Sequence, residues 1–218
     1  MNRKTGMVLY FLVIFCMLIM LCEENNIEPY NMQIGEDVSI QVNKKYNEPK
    51  DGNELMFFNK PSVRPLHTNI KIYKQRRILE LYGDEILIGR FRIALGGSPE
   101  GDKEREGDSK TPEGKYYICT RNPKSIFTLF MGLSYPNTED AERGLNNNII
   151  NEDMYERIKA AEELKQCPPW DTPMGGEVGI HGGGNSHDWT RGCIAMSDED
   201  IWIIWEYTEL NTVVEIFK

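Results

Sequence analysis

Histidine is scarce in this chain: three in 218 residues, too few for a histidine-rich metal centre. Cysteine, at five residues, is too sparse for a disulfide scaffold, and no pair of Cys-x-x-Cys units marks a zinc site. No metal and no cofactor are therefore expected. Positive charge is also in deficit, with 25 Lys and Arg against 34 Asp and Glu and a net charge of −9. That balance argues against a broad phosphate-binding surface and so against a nucleic-acid partner. No internal repeat is visible, and only one long apolar run occurs. What remains, 40% hydrophobic and 27% charged residues, suits a packed core and not a disordered tail. The length fits one globular domain with some chain to spare.

The apolar run extends from Met7 to Cys22, after Arg3 and Lys4 and just before Glu23 and Glu24. A basic start followed by an unbroken apolar stretch reads as an export signal or a membrane anchor. A buried core helix fits poorly, because the run has no polar face. Three readings stay open: a retained anchor, a lipoprotein modified at Cys22, and a cleaved signal. All three leave the basic residues inside and the rest of the chain outside, so an extracytoplasmic, cell-envelope protein is expected, in contact with the cytoplasmic membrane through this segment.

The expected organisation is an anchor or signal over residues 1–22, a linker or stalk over 23–67, and a catalytic domain over 68–218. The middle stretch is polar and proline-containing, with room for one strand. From Thr68 onward short alternating runs (Ile70 and Ile72; Ile78, Leu79 and Leu81; Ile86, Ile88, Phe91, Ile93 and Leu95) predict β-strands joined by tight turns. Thr111-Pro112-Glu113-Gly114 reads as a turn, with a strand resuming over Tyr116 to Thr120. Helical spacing occupies the stretch between Asn137 and Gln166 (Met154, Ile158, Ala161, Leu164). Pro168 and Pro169 enforce a loop. Val178 to His181 predicts a strand, and Ser197 with Asp200 a capping box opening a last helix. Val213, Val214 and Ile216 close with a strand. The fold class expected is mostly β with packed helices, an α+β arrangement.

Chemistry concentrates between Ile180 and Met196. A nucleophile needs a reactive atom, a base within hydrogen-bond reach, and donors for a developing oxyanion. Cys193 supplies the atom, and His181 and His187 are both candidate bases. Gly192 allows a sharp turn that aims consecutive amides at one oxygen. A single cysteine in a strand-rich domain is also commonly a small buried hydrophobe, so the residues alone leave both readings standing. Two features favour chemistry. Cys119, Cys167 and Cys193 are an odd number in an exported domain, leaving at least one thiol unpaired. The run Gly182-Gly183-Gly184 is entropically costly for a loop that only connects.

The same segment resembles the signature of the L,D-transpeptidase (YkuD-like) family: Ile180-His181-Gly182, then Thr190-Arg191-Gly192-Cys193-Ile194-Ala195-Met196. Asp108 to Ile118, Ser134-Tyr135-Pro136-Asn137 and Asp171 to Gly176 are similar to upstream family motifs. The resemblance runs from about Thr68 to Lys218. It implies a β-sandwich catalytic domain acting on bacterial peptidoglycan stem peptides through a cysteine acyl-enzyme, with roles in wall biogenesis and cell shape. Carried over by position, Cys193 is the nucleophile, His181 its general base and acid, and Gly192 an oxyanion amide together with that of Cys193. Arg191, Thr190 and Gly182 are candidate substrate contacts. Arg191 stands where a second histidine is common, and Ala195 where an arginine is. The implied reaction is peptide-bond exchange. The alternatives are carboxypeptidase or endopeptidase action on the same peptides, or a non-catalytic wall-binding module.

Overall fold

The computed structural model describes residues 54–218. The expected anchor (1–22) and most of the expected linker (23–67) lie outside the described residues. Among those described, no helix is long and apolar enough to cross a membrane.

Short alternating segments form strands β1 (Phe57–Phe58), β2 (Thr68–Tyr73), β3 (Ile78–Gly83), β4 (Ile86–Arg92), β5 (Gly114–Ser125), β6 (Thr128–Leu133), β7 (Gly179–His181), β8 (Ile194–Ala195) and β9 (Val213–Phe217). The helices are α1 (Thr138–Asn146), α2 (Glu152–Glu163) and α3 (Asp198–Tyr207). A mostly-sheet fold with packed helices is what the pattern predicted. The first strand already pairs with β4 at Phe57 and Phe58, so the sheet begins inside the stretch expected as linker.

The sandwich implied by the resemblance takes a different form here. All nine strands belong to one hydrogen-bonded sheet, in the order β1-β4-β3-β2-β9-β5-β6-β7-β8. The reason lies in β5. Its first residues, Gly114 to Tyr117, pair with β9, while Ile118 to Ser125 pair with β6 through two register shifts. Irregular pairing bends a strand and increases its twist, so one long strand carries the sheet around a corner. Beyond β4 the chain then meets the far edge: Ala94 bridges Ala195 and Gly96 bridges Thr190. The sheet is a curled half-barrel drawn together at its ends.

Inside the curl, alternate residues form the core. Ile70 and Ile72, Leu79 and Leu81, Tyr116 and Ile118, Leu129, Met131 and Leu133, Ile180 and Ile194 pack with Ile201 and Ile204 of α3. Hydrophobic burial of this kind contributes roughly 1.5–3 kcal/mol per large apolar side chain. Ser197 does cap α3, accepting from the Asp200 amide at 3.1 Å. The complete reciprocal box lies instead at α1, between Asn137 and Asp140. A second small cluster, Ala141, Ile150, Ile158 and Met174, joins α1 and α2. Cys119 on β5 and Cys167 after α2 form a disulfide, leaving Cys193 as the free cysteine among the described residues.

Candidate active site

Cys193 sits in a turn held by one side chain. The Thr190 hydroxyl donates to the Cys193 carbonyl at 2.7 Å and accepts from the Gly192 amide at 3.1 Å. Gly192 adopts φ +138°, and a Cβ there would lie 2.8 Å from the Lys110 carbonyl oxygen. Only glycine fits such a position. The turn then feeds β8, whose Ile194 and Ala195 pair in parallel with Ile180 and His181 of β7. Partners in a parallel ladder point to one face, and residues two apart along a strand share a face. Cys193 immediately precedes this strand, two residues before Ala195, the ladder partner of His181.

His181 is 2% exposed. Its Nδ1 lies 2.6 Å from the Gly182 carbonyl oxygen. A carbonyl can only accept, so Nδ1 carries the proton and Nε2 keeps a free lone pair. Three aromatic rings surround the imidazole. Phe127 stacks at 4.7 Å between centroids, Trp189 meets it edge-on at 5.6 Å, and Phe130 lies at 6.5 Å. Burial lowers the His181 pKa below the usual histidine value, with the Gly182 carbonyl opposing. The imidazole is thus neutral around pH 7.

Cys193 is half-buried, and its Sγ donates to the Glu177 carbonyl at 3.5 Å. Burial pushes the thiol up to about 11; the Gly179 amide and the Lys103 charge pull it back, and the Glu177 charge adds to the rise. Thiol and imidazole are therefore both uncharged at rest.

The remaining predicted residues separate into groups. Arg191 is exposed. Thr190 is buried and commits its hydroxyl to the turn, so it is not free to face a substrate. Gly182 donates to the Phe127 carbonyl at 3.0 Å, and a Cβ on it would lie 2.5 Å from Asp198 Oδ1; it is a packing position that also orients His181. The Gly192 amide, expected to face an oxyanion, is taken by Thr190, because a hydroxyl two residues earlier competes for it. His187 is exposed and contacts the Ser186 hydroxyl at 3.1 Å. Asp188 braces the loop: it accepts from the Leu95 amide at 2.8 Å and from Arg77 Nη2 at 2.7 Å.

Several residues next to the site were not foreseen. Lys103 is 3% exposed and donates to Asp108 at 2.8 Å; no periodicity or motif marks it. Asp108, inside the upstream motif, also accepts from the amides of Glu104, Arg105 and Lys110, which organises the loop beside Gly192. Phe127, at the β5–β6 turn, carried no signal beyond being apolar. Among the described residues no group of His, Cys, Asp and Glu is arranged to hold a metal ion.

A free thiol in the turn before β8 and a buried imidazole at the end of β7, which pairs in parallel with β8, make a candidate cysteine–histidine site at the edge of a curled sheet. The family model for the YkuD L,D-transpeptidase catalytic domain matches residues 67–216, and the chain belongs to that family. YafK of Escherichia coli strain K12 is 34% identical over 88 residues, which cover 37% of this chain and 35% of YafK. The chain thus spans about a third of the length of the curated relative it matches. Among solved structures, the helical cell shape determining protein Pgp2 of Campylobacter jejuni is similar at 21% identity and a TM-score of 0.49, with 78% of this chain and 52% of that one covered. An L,D-transpeptidase from Xylanimonas cellulosilytica is similar at 13% identity and a TM-score of 0.43, covering 74% and 65%.

Proposed function

We propose that this chain is a peptidoglycan-modifying L,D-transpeptidase working through a cysteine acyl-enzyme, with Cys193 as nucleophile and His181 as base. The observation that carries this reading is the His181 tautomer: Nδ1–H is tied to the Gly182 carbonyl, so the free Nε2 is the proton acceptor. Because the thiol's pKa is raised to about 11, a standing thiolate is scarce. The proton leaves as the bond forms, which is general-base catalysis. Sγ attacks the stem-peptide carbonyl while Nε2 takes the thiol proton. The tetrahedral intermediate collapses, and the imidazolium protonates the departing D-amino acid amine. An acceptor amine attacks the thioester, loses its proton to His181, and Cys193 leaves as the thiol. With the Gly192 amide committed to Thr190, the Cys193 amide carries the oxyanion. Arg191, exposed at the rim, is the substrate contact retained in this reading.

The Cys119–Cys167 disulfide supports an oxidising, extracytoplasmic location. The segment over residues 1–22 is the membrane tether in this reading, with a stalk ahead of a catalytic domain whose sheet begins at Phe57. Incubating the purified full chain with muropeptides and following it by mass spectrometry tests the whole scheme. An acyl adduct on Cys193 and cross-linked products are expected. Trimmed products alone would make it a carboxypeptidase or endopeptidase, and binding unaffected by Cys193→Ala, without any adduct, a wall-binding module.

A further inference from the structure

Phe127 is placed with more care than a turn residue needs. It lies at the tip of the β5–β6 hairpin, and its carbonyl accepts from the amide of Gly182, the residue after His181, at 3.0 Å. The next residue, Thr128, holds φ +69° and donates its hydroxyl to Asp198 Oδ1 at 2.6 Å. The same Oδ1 accepts from the Gly183 amide at 2.9 Å. One carboxylate at the start of α3 therefore pins the hairpin tip to the glycine run. Across the imidazole, Trp189 is fixed by its own Nε1–H to the Gly184 carbonyl at 3.1 Å. Gly183, at φ +97°, leaves room for both rings: a Cβ there would lie 3.2 Å from Phe127 Cδ1 and 3.6 Å from Trp189 Cζ2.

We infer that Phe127 and Trp189 are positioning residues: clamped through Asp198 and Gly184, they form an aromatic sleeve that fixes the His181 ring and excludes water from it. The inference rests on His181 being the base. Its function is to keep Nε2 unprotonated and aimed, so that the base is available at the start of each cycle. An apolar sleeve disfavours the imidazolium by desolvation. The charged and titratable groups around the ring are few. Cys193 precedes β8, with Lys103 and Glu177 acting on its sulfur. Asp198 is at α3 and is engaged by Thr128 and Gly183. Phe130 on β6, which pairs with His181, carries no charge, and neither do the two sleeve residues.

The test uses the full chain with ¹³C-labelled histidine, which gives three imidazole signals, assigned with His181→Gln and His187→Gln variants. In the wild type the His181 signal titrates below the ordinary histidine value. In Phe127→Ala its midpoint moves up to about the ordinary value of 6.5. Phe127→Tyr, which keeps the ring, restores the low midpoint, and Trp189→Phe gives a smaller shift in the same direction. The acid limb of kcat/KM moves with the midpoint, so Phe127→Ala at pH 6 works at about a quarter of its own plateau. A His181 midpoint unmoved in well-folded Phe127→Ala and Trp189→Phe overturns the inference, even if His181→Gln is inactive. Full turnover by His181→Gln overturns the assignment of the base instead, whichever way the signal moves.

Discussion

Two protons define the site at the scale of single residues: one on Sγ of Cys193 and one on Nδ1 of His181. Each is held by a backbone carbonyl, of Glu177 and Gly182 respectively. A thiol so placed should react slowly with iodoacetamide at pH 8.5, where an ordinary cysteine is half ionised. Its alkylation rate should keep rising towards pH 11, following the pKa of about 11. A rate profile centred at 8.5 would contradict the burial of Sγ. Cys193→Ala should abolish turnover, and Cys193→Ser should be nearly inactive, since a hydroxyl is a weaker nucleophile beside a lone imidazole. His181→Ala should lose on the order of 10²–10⁴ in rate, the usual contribution of a general base. His187→Ala should lose about tenfold or less, because His187 is exposed and its ring meets the Ser186 hydroxyl; a larger kcat/KM loss in His187→Ala than in His181→Ala would reverse the assignment. Cys193 and His181 stand out in the sequence as candidates because chemistry restricts residue types at fixed positions. The fate of the Gly192 amide was not. Whether an amide faces a substrate or a neighbouring hydroxyl depends on the Thr190 rotamer, which no spacing encodes.

Among the elements, two local constraints stand out: the turn from Thr190 to Cys193 and the disulfide between β5 and the segment after α2. Thr190→Val removes a donor and an acceptor together and leaves the buried Gly192 amide unpaired. A loss of about 1–3 kcal/mol is expected, visible in urea unfolding, and activity should fall with it because the turn aims Cys193. Retained stability would mean that the turn is held by its backbone alone. The disulfide begins the segment that ends at Glu177, the carbonyl partner of Sγ. Replacing Cys119 and Cys167 together by Ser should cost about 2–4 kcal/mol, read as a lower Tm than the wild type under non-reducing conditions. Strand reading succeeded where alternation was clean, as in β2 and β9, and missed β6 altogether. It stopped too early in β5, where the pattern ended at Thr120 but pairing runs to Ser125. Pro123 lies inside that extension, at a register shift. A proline removes a ladder donor, so its presence argues against a strand unless a bulge accommodates it. That bulged half-strand is what makes one curled sheet out of an expected sandwich.

At the scale of the whole domain, a carboxyl away from the site that titrates near neutral pH is Asp140, fully buried in the first turn of α1. Burial raises its pKa to about 6, while the Asn137 amide, Arg143 and the Tyr116 hydroxyl, which donates to Oδ2 at 2.9 Å, oppose the rise. A carboxyl that holds its proton more tightly when folded stabilises the fold at low pH. That contribution is present below the unfolded value near 3.8 and is lost as pH rises through about 6. The wild type should therefore gain stability relative to Asp140→Asn between pH 7.5 and pH 5, measured by urea unfolding; the other carboxylates cancel in that difference. A difference independent of pH would mean that Arg143 holds Asp140 ionised throughout.

The closure of the curl has a consequence for how a peptide is recognised. Ala195 is paired on one side with His181 and on the other with Ala94, and Thr190 is covered by Gly96. The strand that follows Cys193 therefore offers no free ladder to a visitor. A peptide cannot bind next to Cys193 by β-augmentation, the common route by which an extended chain docks on an exposed sheet edge. Recognition at this site falls to side chains and to the loops around it.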